Sequence, residues 1–562
     1  MKRRIRVARG EEPADVLFTN AQVVNVFNGE IEQTSVAVCD GVIAGIGDYY
    51  EAAEIVDLDG QYLIPGFIDG HTHIESSMLD IGQYARAVVA GGTLSVVTDL
   101  HELVNVTGIE GIKYIIKAVQ NLPLDLHVMA PSCVPATHLE SSGAALNADD
   151  VAQVLKMPEV IGLGEMMNFP GVLFGDDGVL NKLAAASGKV VDGHAPGVRG
   201  RDLNAYAGVG IGSDHESTQL EEAKEKLARG LHIMIREGST EKNLSELLPL
   251  VTTQTAPRCM FVVDDRSCSD LKRDGDMDAI VRKAVKLGLN PVTAIQLATI
   301  NPAEYFGLKR VGAVAPGYQA NLLVVDDLRS FNIKQVYFKG KLTAQDGKAL
   351  FKSEMDAPVN LRRSMKVKPF GMDDLKIEFD GQETPIIELV PGQIITRYRK
   401  EIVTEVPDLA RDILKIVVVE RHHDTGNIGK GLVKGFGMTR GALASFVAHD
   451  SHNIICVGVS DEDIYAAVQE VIRMGGGLAV VDQGQTVASL ALPIAGLMSD
   501  RPLDEVVTSF EKLESCARDI GVKISEPFAA VSFLALPVIP ELKLTDLGLV
   551  DVDDFKFIGK QE

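Results

Sequence analysis

Six histidine and carboxylate side chains follow short apolar runs of this chain, and their residue types are those of metal ligands. They are His71, His73, Glu165, His194, His215 and Asp264. Imidazole and carboxylate together suit a borderline divalent ion such as Zn²⁺, Mn²⁺ or Fe²⁺, and six such ligands with a bridging carboxylate suit two ions. A water bound to such ions loses a proton near neutral pH, and Asp264 could take the remaining proton and pass it to a leaving amine. The pattern predicts metal-assisted hydrolysis.

The apolar runs that precede these side chains alternate with helical segments. Eight runs rich in Val, Ile and Leu occupy residues 63–68, 94–97, 126–130, 160–163, 190–191, 209–211, 231–235 and 260–263. The segments between them have apolar residues at helical spacing. Eight strand–helix units predict a (β/α)8 barrel of the TIM type, with its chemistry at the carboxyl ends of the strands. The alternative is an open doubly wound sheet, which should carry a glycine-rich dinucleotide turn where this chain has DGHTH.

The regions that flank the barrel indicate two further domains. Residues 1–60 and 310–352 contain β-type runs with glycine turns, and we expect them to pair into one small β-sandwich domain around the barrel of residues 61–309. A charged stretch with proline, residues 353–374, predicts a linker. Residues 375–562 then form a C-terminal α/β or α+β domain.

Composition excludes several classes of protein. The chain has 562 residues, with 55 Lys and Arg against 78 Asp and Glu, and its net charge of −23 argues against a nucleic-acid polymer as a partner. Acidic residues follow the basic start where a signal peptide needs an apolar segment, and the apolar stretch 528–540 is too short to span a bilayer. Six cysteines without CxxC spacing indicate neither a disulfide framework nor a thiolate zinc site. We expect a cytoplasmic protein with no membrane partner.

A second group of histidines lies in the last third of the chain. It consists of His422, His423, His449 and His452. Ser, His and Asp stand together at 449–452, but the members of a catalytic triad converge from different elements rather than from neighbouring positions. A second metal site remains one interpretation. The favoured one is a polar surface of the C-terminal domain that packs against or covers the barrel mouth.

Longer motifs carry a family resemblance. PGFIDGHTH and the later GLKRVGAVAPGYQANLLVV resemble the amidohydrolase superfamily. Within it, HIESSML, PSCVPAT, GEMMNFPGV, GHAPG, SDHES, IREGS and VDD look like the bacterial-type adenine deaminase family. The motifs ERHHDTGNIGKG, GFGMTRGA, AHDSHNI, LPIAGLMS and FLALPVIPEL extend the resemblance over nearly the whole chain.

The resemblance implies hydrolytic deamination of adenine to hypoxanthine and ammonia, a reaction of purine salvage. His71 and His73 would hold one ion, His194 and His215 the other, and Glu165 would bridge them. The cofactors would be two divalent metal ions, with Mn²⁺ or Fe²⁺ favoured and Zn²⁺ as the alternative. The substrate is a small molecule, and we expect a homo-oligomer.

The same resemblance implies further catalytic residues. Asp264 would be both a metal ligand and a proton shuttle, and His101 and Glu102 would orient the purine or relay protons. Leu100 and Asp276 differ from the residues usual in the family at those positions, as does Asn321.

Three residues are candidate substrate contacts. Arg236 could bind the substrate or pair with a neighbouring carboxylate. Met166, with Met167 beside it, could line a purine pocket or fill core volume, the commoner role of methionine. Ser76, in the HIESSML motif, is the third.

Two alternative functions stay open at this point. Because pocket loops set the substrate in this superfamily, the chain could act on a different aminopurine or a cyclic amide. The differences at Leu100 and Asp276 motivate the other alternative, a weakly active regulatory paralogue.

Overall fold

The computed structural model describes residues 1–49, 51–353 and 357–559. Residue 50 of the predicted sandwich, residues 354–356 of the predicted linker and residues 560–562 of the predicted C-terminal domain lie outside the described residues.

The first 65 residues form one helix and five strands. They are α1 (Lys2–Ala8), β1 (Ala14–Val24), β2 (Ile31–Cys39), β3 (Val42–Ile46), β4 (Ala52–Asp57) and β5 (Tyr62–Pro65). β1 and β2 pair antiparallel with Val16 opposite Val38. Because side chains alternate across a strand, Val16 and Phe18 of β1 share one buried apolar face.

Of the described residues, 67–262 supply eight strands that alternate with helices. The strands are β6 (Phe67–Thr72), β7 (Thr93–Asp99), β8 (Asp125–Ala130), β9 (Val160–Met166), β10 (Val190–Gly193), β11 (Ser213–Asp214), β12 (His232–Arg236) and β13 (Cys259–Val262). The helices that surround them are α2 (Ile81–Ala90), α3 (His101–Thr107), α4 (Ile109–Val119), α5 (Ala148–Val154), α6 (Phe169–Phe174), α7 (Asp177–Ala185), α8 (Gly200–Gly208), α9 (Leu220–Ala228), α10 (Leu244–Leu247), α11 (Cys268–Arg273), α12 (Met277–Lys286), α13 (Pro291–Leu297) and α14 (Ile300–Tyr305). Short 3-10 turns cover Ile74–Ser77, Leu248–Leu250 and Ala256–Arg258.

These strands form two parallel groups that meet at both edges. β6 to β10 follow one another in one group, and β11 to β13 in the other. The amide of Gly212 donates to the carbonyl of Val191 at one junction, and the amide of Asp264 donates to the carbonyl of His71 at the other, both at 2.9 Å. The (β/α)8 barrel predicted from the sequence is therefore confirmed.

Two predicted strands have different bounds in the structure. The run 63–68 divides at Gly66, whose amide bonds to Asn321, whereas the next amide, of Phe67, bonds to Gly92 in the barrel. The strand predicted at 209–211 is wrong. The chain turns there through Gly210, which has a φ of +96°, and β11 begins only at Ser213.

The chain after the barrel returns to the first sheet. Its strands are β14 (Leu322–Val325), β15 (Ile333–Phe338), β16 (Lys341–Gln345) and β17 (Lys348–Ala349). β14 lies antiparallel to β5, with Leu323 opposite Ile64. The strand order is β17-β16-β15-β14-β5-β1-β2-β3, with β4 on β1, so both flanks share a single nine-stranded sheet.

The remaining residues have an α+β architecture. After α15 (Val359–Arg362) and a 3-10 turn at Met372–Leu375, the strands are β18 (Glu383–Leu389), β19 (Thr396–Ile402), β20 (Ile413–Val419), β21 (Ile428–Lys434), β22 (Ala442–Ser445), β23 (Ile454–Gly458), β24 (Gly477–Asp482), β25 (Gln485–Ala491), β26 (Leu542–Thr545), β27 (Gly548–Asp551) and β28 (Lys556–Phe557). The helices are α16 (Asp461–Met474), α17 (Leu503–Asp519) and α18 (Pro527–Phe533). The first eight strands form one sheet in the order β19-β18-β21-β20-β23-β22-β24-β25.

The C-terminal region packs directly on the barrel. The amide of Ser499 donates to the carbonyl of Met78 at 2.8 Å, and the amide of Asp80 donates back to Ser499 at 3.1 Å. Across the described ranges of the chain, no helix combines the length and the apolar composition needed to cross a bilayer.

Candidate metal centre

The main chain at the end of β6 places two imidazoles beside a carboxylate. The amide of Asp264 donates to the carbonyl of His71, and the amide of His73 donates to the carbonyl of Asp264 at 3.1 Å. His71 and His73 stand two residues apart and share one side of the extended chain. Asp264 has a φ of +65°, a conformation that costs a non-glycine residue on the order of 1–3 kcal/mol and that recurs at functional sites.

Glu165, at the carboxyl end of β9, lies between two pairs of histidines. Its Oε1 is 3.2 Å from Nε2 of His73 and 3.7 Å from Nε2 of His71. Its Oε2 is 2.7 Å from Nδ1 of His194 and 3.2 Å from Nε2 of His215. Since each carboxylate oxygen faces a different pair, Glu165 has the geometry of a bridge between two ions.

Asp264 contributes a further oxygen to the first pair. Its Oδ1 is 3.0 Å from Nε2 of His73 and 3.4 Å from Nε2 of His71. The six side chains predicted from the sequence thus come together, and their ligand atoms divide into overlapping sets of three, each within 4.8 Å: His71, His73 and Glu165; Glu165, His194 and His215; His71, His215 and Asp264.

The hydrogen bonds around the histidines leave ligand nitrogens free. Nδ1 of His73 donates to the carbonyl of Asp99 at 2.9 Å, which leaves the lone pair of Nε2 directed at the carboxylates. Nε2 of His71 is buried and has no hydrogen-bond partner among the described residues. Buried polar atoms rarely lack a partner. The donor set, four imidazoles and two carboxylates, fits two divalent cations.

The electrostatics of the cluster favour positive charge. Burial raises the pKa of Glu165, but the imidazoles around it, His215 first, outweigh burial and hold that pKa well below its ordinary value. Burial lowers the pKa of His215, but the Glu165 carboxylate raises it to about 9. The carboxylates therefore remain ionised in a buried site, where a divalent cation can balance them.

Arg236, at the end of β12, pairs with carboxylates. Its Nη1 lies 2.7 Å from Oδ2 of Asp264 and also contacts Glu216, whose other oxygen is 3.2 Å from Nη2. Burial raises the pKa of Asp264, but Arg236 and the nearby imidazoles hold it well below its ordinary value. The structure shows the carboxylate pair, and because Arg236 also lines the cavity beside the cluster, its contact with a substrate stays a prediction. Glu216 is not among the residues predicted from the sequence, although it directly follows His215 after β11.

A cavity of about 700 Å³ opens onto this centre, within the range typical of small-molecule sites. Met166 does not line it. Its neighbour Met167 does, because successive residues point in opposite directions, so Met166 packs in the core. Ser76 lies instead on a smaller neighbouring cavity, where its hydroxyl bonds to the carboxylate of Asp265.

His101 and Glu102 begin α3 and extend the site away from the metal centre. Nδ1 of His101 is 3.7 Å from Oε1 of Glu165, and its Nε2 is 3.4 Å from Oε1 of Glu102. The Glu102 carboxylate contacts both His449 and His452 of the C-terminal region. The second histidine group therefore reaches the barrel mouth, as predicted, but His452 is buried and the side chain of His449 is only 12% exposed, so these two members do not form a polar surface.

The other two histidines of that group bond to main-chain oxygens. Nε2 of His422 is 2.7 Å from the carbonyl of Ser451, and Nε2 of His423 is 2.8 Å from the carbonyl of Ser142 in the barrel. His422 thus holds the loop that contains Ser451, and His423 joins the C-terminal region to the barrel. Neither lines the cavity.

The three positions that differ from the family pattern do not line the cavity. Leu100 is fully buried in the core. Asp276 accepts a hydrogen bond from the hydroxyl of Thr93 at 2.6 Å, and Asn321 accepts one from the amide of Lys339 at 2.9 Å. All three therefore have structural contacts: Leu100 packs in the core, and Asp276 and Asn321 bond to neighbouring segments.

Comparisons with known proteins extend over the whole chain. The model of the amidohydrolase family matches residues 62–343, and that of the adenine deaminase C-terminal domain matches residues 393–556. A protein of Dehalococcoides mccartyi named adenine deaminase is 59% identical over 99% of this chain and 98% of its own length. Adenine deaminase 2 of Carboxydothermus hydrogenoformans is 50% identical over the same shares, and adenine deaminase of Halalkalibacterium halodurans is 43% identical over 100% of this chain and 98% of its own. On this similarity the chain belongs to the adenine deaminase family of amidohydrolases.

Proposed function

We propose that this chain hydrolyses adenine to hypoxanthine and ammonia. The observation that carries the proposal is the position of Glu165, which lies between two histidine pairs at the strand ends of a barrel. The full-length similarity to proteins named adenine deaminase supports adenine as the substrate. The small-molecule cavity beside the cluster gives a purine access to it.

Two divalent metal ions complete the proposed site. His71 and His73 would hold one ion and His194 and His215 the other, with Glu165 between the two pairs and Asp264 as a further ligand. When bound, such ions lower the pKa of a water molecule and polarise the substrate. Mn²⁺ or Fe²⁺ is favoured, and Zn²⁺ is the alternative that the donor set also accepts.

The protein's own groups manage the protons. Asp264 stays ionised because Arg236 bonds to its Oδ2, so its Oδ1 can accept a proton from the attacking water and pass it to the leaving amine. His101 bridges the space between Glu165 and Glu102, which places it to orient the purine or relay a proton.

An ammonia-release assay tests this function. Protein reconstituted separately with Mn²⁺, Fe²⁺ and Zn²⁺ is given adenine, guanine, adenosine or dihydroorotate. Ammonia is measured for the three aminopurines and ring opening for dihydroorotate, whose hydrolysis releases no ammonia, and we expect turnover of adenine alone. Silence with adenine and turnover of another compound would assign the chain to a different amidohydrolase activity. A protein that binds metal and turns over none of the four, with or without His194→Ala, would be the regulatory paralogue.

Several broader proposals accompany this function. We propose three units, residues 1–60 with 310–352, residues 61–309 and residues 375–562. A homo-oligomer, a cytoplasmic location and a place in purine salvage stay predictions.

A further inference from the structure

A loop of the C-terminal region forms part of the wall of the same cavity. The loop, residues 446–453, connects β22 with β23, and two of its side chains, His449 and Asp450, line the cavity beside His101 and Glu102. The separation along the chain between His449 and Glu102 is 347 residues. The cavity is therefore built from two distant parts of the chain.

The hydrogen bonds of His452 argue against a second metal ion here. The amide of Ala448 donates to Nδ1 of His452 at 3.1 Å, so that nitrogen carries no proton. Burial lowers the pKa of His452, and the neutral ring then carries its proton on Nε2, which faces the Glu102 carboxylate. A metal ligand needs a free lone pair, which the ring of His452 then lacks, and its Nε2 contacts the Glu102 carboxylate instead.

His449, unlike His452, is held by a hydrogen bond at only one of its ring nitrogens among the described residues. Its Nδ1 bonds to Oε1 of Glu102, and its ring stacks on Phe533 at a centroid distance of 4.7 Å and an interplanar angle of 21°. Its Nε2 has no hydrogen-bond partner among the described residues, although 88% of the side-chain surface is covered. The ring is thus fixed at Nδ1, and Nε2 is the nitrogen left for a ligand in the cavity that His449 lines.

We propose that His449 contacts the substrate through Nε2, and that Glu102 is the positioning residue that fixes its ring. This inference rests on the proposed function, because it takes the ligand to be adenine. Purine ring nitrogens are hydrogen-bond acceptors, and an imidazole N–H is the complementary donor. The C-terminal region then supplies part of the purine site, while the barrel supplies the metal ligands.

The charge of His449 agrees with a donor role. Burial lowers its pKa, but the Glu102 carboxylate raises that pKa to about 9, with smaller contributions from Asp265 and Asp450. The ring therefore carries protons on both nitrogens near neutral pH, and Nε2–H is available to an acceptor.

Buried contacts hold the loop in place behind His449. Arg421 donates to the carbonyl of His452 at 2.7 Å and stacks on the ring of Phe446 at 3.6 Å. Nε2 of His422 bonds to the carbonyl of Ser451. These contacts give the Arg-His pair of the ERHHD motif a role in fixing the loop that presents His449.

Two variants of His449 separate the two edges of its ring. The amide of glutamine in His449→Gln lies near the position of Nε2, whereas the amide of asparagine in His449→Asn lies near Nδ1. The full-length, metal-loaded protein is measured with adenine for KM and kcat, and by calorimetry for the dissociation constant of adenine or hypoxanthine. His423→Gln is the matched control, since His423 bonds to a barrel carbonyl and does not line the cavity.

We expect His449→Asn to raise KM and the dissociation constant by roughly 10- to 100-fold, the size expected for a lost hydrogen bond to a charged donor. His449→Gln should raise them much less, and metal content should stay unchanged in both. The opposite order, with asparagine tolerated and glutamine damaging, would show that only the contact with Glu102 matters and would overturn the inference. Equal affinity in all the variants would overturn it too.

The calorimetric measurement separates this inference from the proposed function. If the unmodified protein binds adenine but releases no ammonia, the deaminase function fails, while a weaker affinity in His449→Asn still supports the contact. If the unmodified protein deaminates adenine and the affinity does not depend on His449, the function stands and the inference fails. A protein that binds no purine at all contradicts both.

Discussion

The barrel wall and the C-terminal wall of the cavity are built in different ways. On the barrel wall, ligand side chains follow strand ends, and the parallel ladder fixes their main chain, as the hydrogen bonds between His71 and Asp264 illustrate. On the other wall, His449 lies in a loop that is held by side chains such as Arg421. In the barrel, functional residues recur after each strand, so their positions can be predicted from the sequence. The position of a residue in a loop such as 446–453 depends instead on particular long-range contacts.

Two fully buried lysines, one in the barrel and one in the C-terminal region, have pKa values that shift in opposite directions. Lys226 of the barrel bonds to Asp214 at 2.9 Å and to Glu222 at 2.7 Å, and these carboxylates outweigh burial and raise its pKa. Lys543 of the C-terminal region donates to the carbonyl of Ile394 at 3.0 Å, and burial lowers its pKa to about 7. The barrel pairs the charge of Lys226 with carboxylates, whereas no carboxylate of the described residues forms an ion pair with Lys543 of the C-terminal region.

The largest expected effect is on the barrel wall. Glu165→Ala removes the oxygens that face both histidine pairs, so we expect metal stoichiometry to fall together with adenine turnover, the latter by roughly 1,000-fold or more. Metal analysis and the ammonia assay on the same preparation measure the two losses.

Glu304→Ala, on the exposed side of α14, is the control and should leave both quantities unchanged. Full metal occupancy with normal turnover in Glu165→Ala would refute the bridge. Metal loss confined to one ion would show that the two pairs do not share Glu165.

Substitution of the two buried lysines should change the free energy of unfolding in opposite directions. Lys226→Met leaves two buried carboxylates unpaired and should lower the free energy of unfolding by about 3–5 kcal/mol. Lys543→Met removes a charge that is costly to bury and should raise the free energy of unfolding by about 3 kcal/mol at pH 7 and below. Chemical denaturation of both variants measures these changes.

The pH dependence of the Lys543 effect has a definite sign. The pKa of Lys543 is about 7 in the folded state, and its ordinary value, which applies to the unfolded chain, is 10.5. At a pH between these values the unfolded chain binds a proton that the folded chain lacks. The unmodified protein therefore gains stability from this group as pH rises from 7 to 10.5, and the advantage of Lys543→Met should shrink over that window. A difference that stays constant with pH would mean that burial in the folded state does not lower the pKa of Lys543.

The contrast between the walls also explains what the sequence can predict. Each metal-ligand candidate follows an apolar run. Since parallel strands end at one edge of the barrel, the sequence alone predicts that these side chains lie close together. His449 carries no comparable signal, because its proximity to Glu102 arises only when the C-terminal region packs on the barrel. Met166 and Met167 differ in a side-chain direction that strand bounds alone decide. The split at Gly66 likewise depends on two neighbouring amides that bond to different sheets.

A smaller effect is expected behind the C-terminal wall. Arg421→Met keeps apolar volume but removes the donor to the carbonyl of His452, so the loop that presents His449 should loosen. We expect KM for adenine to rise about tenfold, with metal content unchanged, since the loop itself loses the one hydrogen bond that Arg421 donates to it. Arg440→Met, which removes an exposed arginine paired with Asp482, is the control. Loss of metal in Arg421→Met would show that the two walls are not independent.

The smallest effect is expected at Ser76, which lies between the walls. Its hydroxyl bonds to the Asp265 carboxylate and faces a cavity of about 100 Å³ beside the main one, so we expect Ser76→Ala to change KM for adenine by less than about threefold. Ser509→Ala is the matched control, since the Ser509 hydroxyl donates to the carbonyl of Glu505 within α17. A KM raised about tenfold in Ser76→Ala alone would restore Ser76 as the substrate contact expected from the sequence. The purine would then extend past His449 into the smaller cavity, because His449 lines both.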